Sequence, residues 1–148
     1  MQMLPIPVIA GGLVIMGALG GCGRAVPVTP AEMAAEVGEQ CKELSAELPE
    51  ELAGERRIET MPDPESTAAW GAPAIIWRCG TPTPTSFTKD SQLLEIDGVS
   101  WYPQQLSAGN RFTAVESAPI LEITIPAAYQ NPAEIVAEVQ PVTADPEP

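Results

Sequence analysis

Residues 70–80 read Trp70-Gly71-Ala72-Pro73-Ala74-Ile75-Ile76-Trp77-Arg78-Cys79-Gly80. The stretch holds two of the chain's three tryptophans and an unbroken apolar run, Ala74 to Trp77, and it ends in a cysteine. A run without polar alternation suits a strand covered on both faces, so a central strand is predicted from Ala68 to Arg78. Cys79 then needs a partner. Cys22 lies at the end of an apolar N-terminal segment, which leaves Cys41 to pair with it. In an oxidising compartment the two form an even pair; the alternative is two free, buried thiols.

Cys41 sits on a helical pattern. Met33, Val37, Cys41, Leu44 and Leu48 recur at spacings of 4, 4, 3 and 4, the apolar stripe of an amphipathic helix. Thr29-Pro30-Ala31-Glu32 reads as its capping box, with proline at the first helical position, and Pro49 ends it. Glu32, Glu36, Glu39, Glu43, Glu47 and Glu50 follow a neighbouring stripe, which reads as a solvated face. Bridging Cys41 to Cys79 would therefore staple this helix to the central strand.

Outward from there the chain alternates short strands and turns. Glu55–Thr60 is a predicted strand carrying Arg56 and Arg57, and Met61–Glu65 a proline turn. After Gly80, Thr81-Pro82-Thr83-Pro84-Thr85 is an extended loop, since proline removes ladder donors. Gln92–Ile96, Asp97-Gly98 and Val99–Tyr102 form the clearest hairpin signal, Asp-Gly being the favoured two-residue turn. Arg111–Glu116 and Ile120–Ile125 add two strands; in the second, Glu122 and Thr124 alternate with Leu121, Ile123 and Ile125 and leave one wet face. Asn131-Pro132-Ala133-Glu134 opens a short helix to about Val139. The predicted fold is α+β: a mainly antiparallel sheet of about five or six strands, an N-terminal helix packed on it and a short C-terminal helix.

The ends read differently. Ile6 to Gly21 is uncharged and apolar or small; as a helix it would span about 24 Å, short of a hydrocarbon core of about 30 Å. Leu19-Gly20-Gly21-Cys22 resembles a bacterial lipobox, in which Cys22 would take the lipid and two acyl chains would hold the protein at the membrane. Met1–Pro5 lacks the usual Lys or Arg flank, so an uncleaved anchor helix and a secreted form stay open beside lipidation. All three place the domain outside the cytoplasm, anchored to the outer face of the cell membrane in the lipidated and uncleaved-helix cases. Residues 1–22 are thus read as signal peptide or anchor, 23–29 as a tether, 30–140 as one domain and 141–148 as a disordered acidic tail.

Composition excludes several classes. The net charge of -13 repels phosphate backbones, so nucleic acid is excluded as a partner. The chain has no histidine, which removes Ser-His and Cys-His pairs, histidine zinc sites and the usual base near neutrality. No calcium loop or Cys-x-x-Cys is present, and no metal or other cofactor is expected. Ser86-Phe87-Thr88-Lys89 matches a Ser-x-x-Lys motif but lacks its companion motifs. Carboxylate pairs such as Asp63 with Glu65, or Glu95 with Asp97, carry no glycosidase signal without a shared cleft. No catalytic residue emerges. The best binding candidates are aromatics beside cations: Trp70, Trp77, Trp101, Tyr102 and Tyr129 as a stacking platform, or as core, and Arg56, Arg57, Arg78 or Arg111 to grip a carboxylate.

Several of these residues stand in a familiar order. Trp70-Gly71-Ala72-Pro73-Ala74-Ile75, Arg78-Cys79-Gly80, Asp97-Gly98-Val99-x-Trp101 and Phe112-Thr113 resemble the actinobacterial family known as domain of unknown function 3515. Cys41, Leu48-Pro49, Leu52-Ala53-Gly54, Arg56-Arg57 and Pro126-x-x-Tyr129 fit as well, over Val26 to Val139. The resemblance implies an exported, membrane-attached envelope protein with two paired cysteines, and implies no reaction, ligand or catalytic residue. The expected function is a non-enzymatic envelope lipoprotein acting as a binding or accessory module, its partner a membrane protein or cell-wall material. The alternative is a small hydrolase or transferase acting on cell-wall precursors.

Overall fold

A computed structural model describes residues 23–139. The expected lipidation at Cys22 and the expected tail over 141–148 lie outside the described residues. The chain first pairs as β1 (Val26–Pro27), which runs parallel to β4 (Thr60–Met61) with Val26 opposite Thr60. Val28 is buried and its N–H donates to the Met61 carbonyl at 2.9 Å. Part of the expected 23–29 tether therefore belongs to the folded body.

Eight strands form one antiparallel sheet. In spatial order they are β2 (Glu51–Leu52), β3 (Glu55–Ile58), β5 (Thr67–Trp70), β6 (Ile75–Cys79), β10 (Leu121–Pro126), β9 (Gly109–Ala114), β8 (Val99–Leu106) and β7 (Leu94–Ile96). The fold is thus α+β and mainly antiparallel, with more strands than expected. One added strand is β2, and the other arises in the central stretch. Residues 68–78 are not one strand but the hairpin β5–β6, in which Trp70 pairs with Ile75. Gly71 turns the chain at φ 73°, a conformation glycine adopts without a Cβ clash, and Pro73 cannot serve a strand interior.

The sheet is curled. Laid flat, eight strands at about 4.8 Å spacing would separate β2 from β7 by roughly 34 Å. Helix α2 (Pro132–Val139) is about 12 Å long, yet it lies against both of these edge strands. The sheet therefore closes toward an open barrel with α2 across its seam, and the Ala53 N–H donates to the Glu138 carboxylate at 3.1 Å there. Ile135, Val136 and Val139 of α2 face inward. They join Leu52, Trp70, Ile75, Trp77, Trp101, Phe112, Leu121, Ile123 and Ile125 in one core.

The helix seated in the sheet is thus the C-terminal one, where an N-terminal helix was expected. Helix α1 (Ala35–Glu47) buries only Cys41 and Ser45. It starts later than the Thr29 capping box, because the backbone as far as Val28 is engaged with β4; Ala34 precedes it without a side-chain cap. The predicted stop holds, since Leu48 is extended ahead of Pro49. Cys41 is bonded to Cys79, and the Arg57 guanidinium donates to Ser45 Oγ at 3.1 Å and to the Leu48 carbonyl at 3.4 Å. A few side chains and one covalent bond hold α1.

Register is tightest where β9 meets β10. A Cβ on Gly109, at φ 152°, would run into the Ile125 carbonyl oxygen and Pro126 Cα of the facing strand. Paired backbone cannot swing aside as a side chain could. Gly109→Ala is expected to cost about 2–4 kcal/mol, combining backbone strain with overpacking. A urea midpoint unchanged from wild type would refute that close approach.

Candidate functional site

The outer face of the barrel wall carries the polar residues that alternate with the core. Arg78 on β6 stands opposite Glu122 on β10, and Glu122 opposite Thr113 on β9. One step along, Arg111 on β9 stands opposite Gln104 on β8, which puts Arg111 diagonal to Glu122 and within reach of it. Both arginines converge on the same oxygen. Arg78 Nη1 donates to Glu122 Oε1 at 3.2 Å, and Arg111 Nε lies 3.6 Å from it.

The loop between β6 and β7, residues 80–93, folds back over this face. Tyr102 Oη lies 3.2 Å from Ser86 Oγ, Gln104 Nε2 donates to the same oxygen at 3.1 Å, and Phe87 meets Tyr102 edge to face at 5.3 Å. These contacts pin the loop at Ser86-Phe87. Between the wall and the Thr81–Ser86 segment lies a pocket of about 310 Å³, floored by Arg78, Arg111, Glu122 and Gln104. A loop of this length without regular structure is commonly a functional one.

The pocket is rich in unsatisfied polar groups. Arg78 Nε, Arg111 Nε, Gln104 Oε1 and Thr81 Oγ1 are buried without a hydrogen-bond partner among the described residues. Thr81 is 4 % exposed and Glu122 is 7 % exposed, so neither is simply a wet surface group. Leaving a buried donor or acceptor unpaired costs about 1–3 kcal/mol each. Four such atoms around one cavity mark a site built for something polar.

Of the binding candidates predicted from the sequence, Arg78 and Arg111 line this pocket and Tyr102 holds its loop in place. Trp70, Trp77 and Trp101 do not form a platform: each is fully buried in the core, because each falls on an inward position of its strand. Arg57 is structural, clasping the end of α1 and lying 6.0 Å from the Trp70 ring. Arg56 is exposed on β3, away from the pocket lining. Tyr129 donates to the Pro73 carbonyl at 2.8 Å beside Gly71, and burial, aided by the Glu55 carboxylate, pushes its phenol up from the ordinary value. Ser86 Oγ is engaged by Tyr102 and Gln104 rather than by Lys89, which is exposed, so Ser-x-x-Lys makes no dyad. Asp63 caps a turn through Ser66.

Glu122 is the residue that strand alternation misplaces. Its position predicts solvent, but the flanking Arg78 and Arg111 and the returning loop enclose it. The one signal available was its company: few cations in a strongly acidic chain, two of them falling on strands that can flank β10.

No helix among the described residues is long and apolar enough to cross a membrane, and among them no three histidine, cysteine or acidic side chains gather as a metal site. In sequence the family profile described as protein of unknown function (DUF3515) matches residues 3–146. No curated protein and no solved structure matches the chain.

Proposed function

The chain belongs to the DUF3515 family of proteins of unknown function, and from that premise we propose that it is a non-catalytic binding module of the cell envelope, held at the outer face of the cytoplasmic membrane by its N-terminal segment. The observation that carries the binding role is the convergence of Arg78 and Arg111 on Glu122 beneath a loop that closes over them. The Cys41–Cys79 bond supports an oxidising location. The lipobox-like Leu19-Gly20-Gly21-Cys22 supports a lipid anchor, with an uncleaved helix as the other form of attachment. The enzyme alternative has less behind it. A single carboxylate, Glu122, lines the pocket, whereas glycoside hydrolysis uses a pair.

The test is capture from membrane extracts with full-length wild type and full-length Arg111→Ala. Arg111 is partly exposed at the pocket floor, so its truncation leaves the core intact. A charge-assisted hydrogen bond contributes about 1.5–3 kcal/mol, so the variant is expected to lose captured partner about tenfold or more. Equal recovery by both proteins would overturn the proposed site.

A further inference from the structure

We infer that the pocket selects the free C-terminal carboxylate of a short peptide, an inference that rests on the pocket being the binding site proposed above. Charge is the first argument. Two guanidinium groups and one carboxylate leave the floor a single positive charge, which complements a monoanion. A phosphate monoester carries about -1.5 to -2 at neutral pH, and the Glu122 carboxylate would repel the excess. The chain's overall charge of -13 opposes any polyanion further.

Hydrogen-bond sense is the second argument. Among the described residues Arg78 Nε makes no hydrogen bond and Arg111 Nε has only the 3.6 Å ionic contact with Glu122, and a planar carboxylate accepts from such forks in bidentate fashion. Gln104 Oε1 is a buried acceptor without a donor among the described residues. A ligand that satisfies the floor therefore brings a hydrogen-bond donor beside its carboxylate. A peptide terminus has that combination, its last amide one residue from the acid. Inorganic phosphate and a simple fatty acid do not.

Size is the third. At about 310 Å³ the cavity is at the small end of ligand sites, enough for one or two small residues. The wall made by Thr81-Pro82-Thr83-Pro84-Thr85 offers little depth for a large side chain.

The experiment is calorimetric titration of the full chain in detergent micelles with N-acetyl-Ala-Ala, with its C-terminal amide and with inorganic phosphate. The free acid is expected to bind at least tenfold more tightly than either of the other probes. Arg111→Gln should abolish that preference, and Glu122→Gln should admit phosphate by removing the repelling charge. Circular dichroism of each variant establishes that the sheet is retained. Running the acid as its L,L and D,D forms separates a ribosomally made C-terminus from a cell-wall stem; binding of either form supports the inference, and the tighter one names the source. Equal binding of acid and amide, or tighter binding of phosphate, would overturn it. If no probe binds while Arg111→Ala still loses its captured partner, the peptide inference falls and the binding module stands. If neither result appears, both fall.

Discussion

Replacing Trp77 by alanine is expected to remove about 3–5 kcal/mol of stability, the largest loss anticipated from any single side chain here. Trp77 lies on β6 with Ala68 of β5 on one side and Ile123 of β10 on the other, fully buried at the junction of the two meanders. Set against a total of roughly 5–15 kcal/mol for a domain, that loss threatens folding at 37 °C. Trp77→Phe separates volume from polarity. The indole Nε1 of Trp77 has no acceptor among the described residues, so phenylalanine relieves an unpaired donor even as it leaves a small void, and a cost of only about 1–2 kcal/mol is expected. Trp70 lacks that compensation, because its Nε1 donates to the Pro49 carbonyl at 2.9 Å. Urea denaturation followed by circular dichroism compares the variants. Equal losses for Trp77→Ala and Trp77→Phe would show that the ring does not fill the core as described.

The second large effect belongs to the bridge. Cys41 and Cys79 are 38 residues apart in sequence, and closing a loop of that length restricts the unfolded chain by about 4 kcal/mol on the chain-entropy account. The double variant Cys41→Ser, Cys79→Ser should lose about that much in the same urea assay. Because α1 buries only two residues of its own, it should also detach first, seen as early hydrogen exchange over residues 35–47. Non-reducing mass spectrometry of native material supplies the parallel check. Two free thiols there would remove the argument for an oxidising location.

How far the sequence could be read depended on whether a signal was local. The Asp97-Gly98 turn was legible because it demands positive φ, and both residues adopt it, at 46° and 87°. The same holds for α2, where proline at the first position and the Ile135, Val136 and Val139 spacing agree. The β2–β3 turn was not legible, because Ala53 takes φ 53° and alanine carries no mark of that conformation. Hydrophobicity hid the β5–β6 hairpin: Trp70 and Ile75 are both core residues, so the apolar pattern ran straight through the turn that separates them. At the site, Arg78 and Arg111 could be named as cations on strands. Their meeting at Glu122 depends on β10 returning beside β6, a pairing across 44 positions, and no local pattern encodes it.

The parallel pairing of β1 with β4 bears on how the protein would ride on its membrane. Strand β1 starts at Val26, only four residue steps past Cys22, or about 14 Å of extended chain. An acyl group on that cysteine would therefore keep the body flush with the lipid headgroups, without room to swing. Met61, half exposed on β4 directly opposite Pro27, would then face the bilayer surface itself. A ligand held in a membrane protein or in wall material would have to lie within that reach of the bilayer, whereas a freely diffusing one would not be restricted.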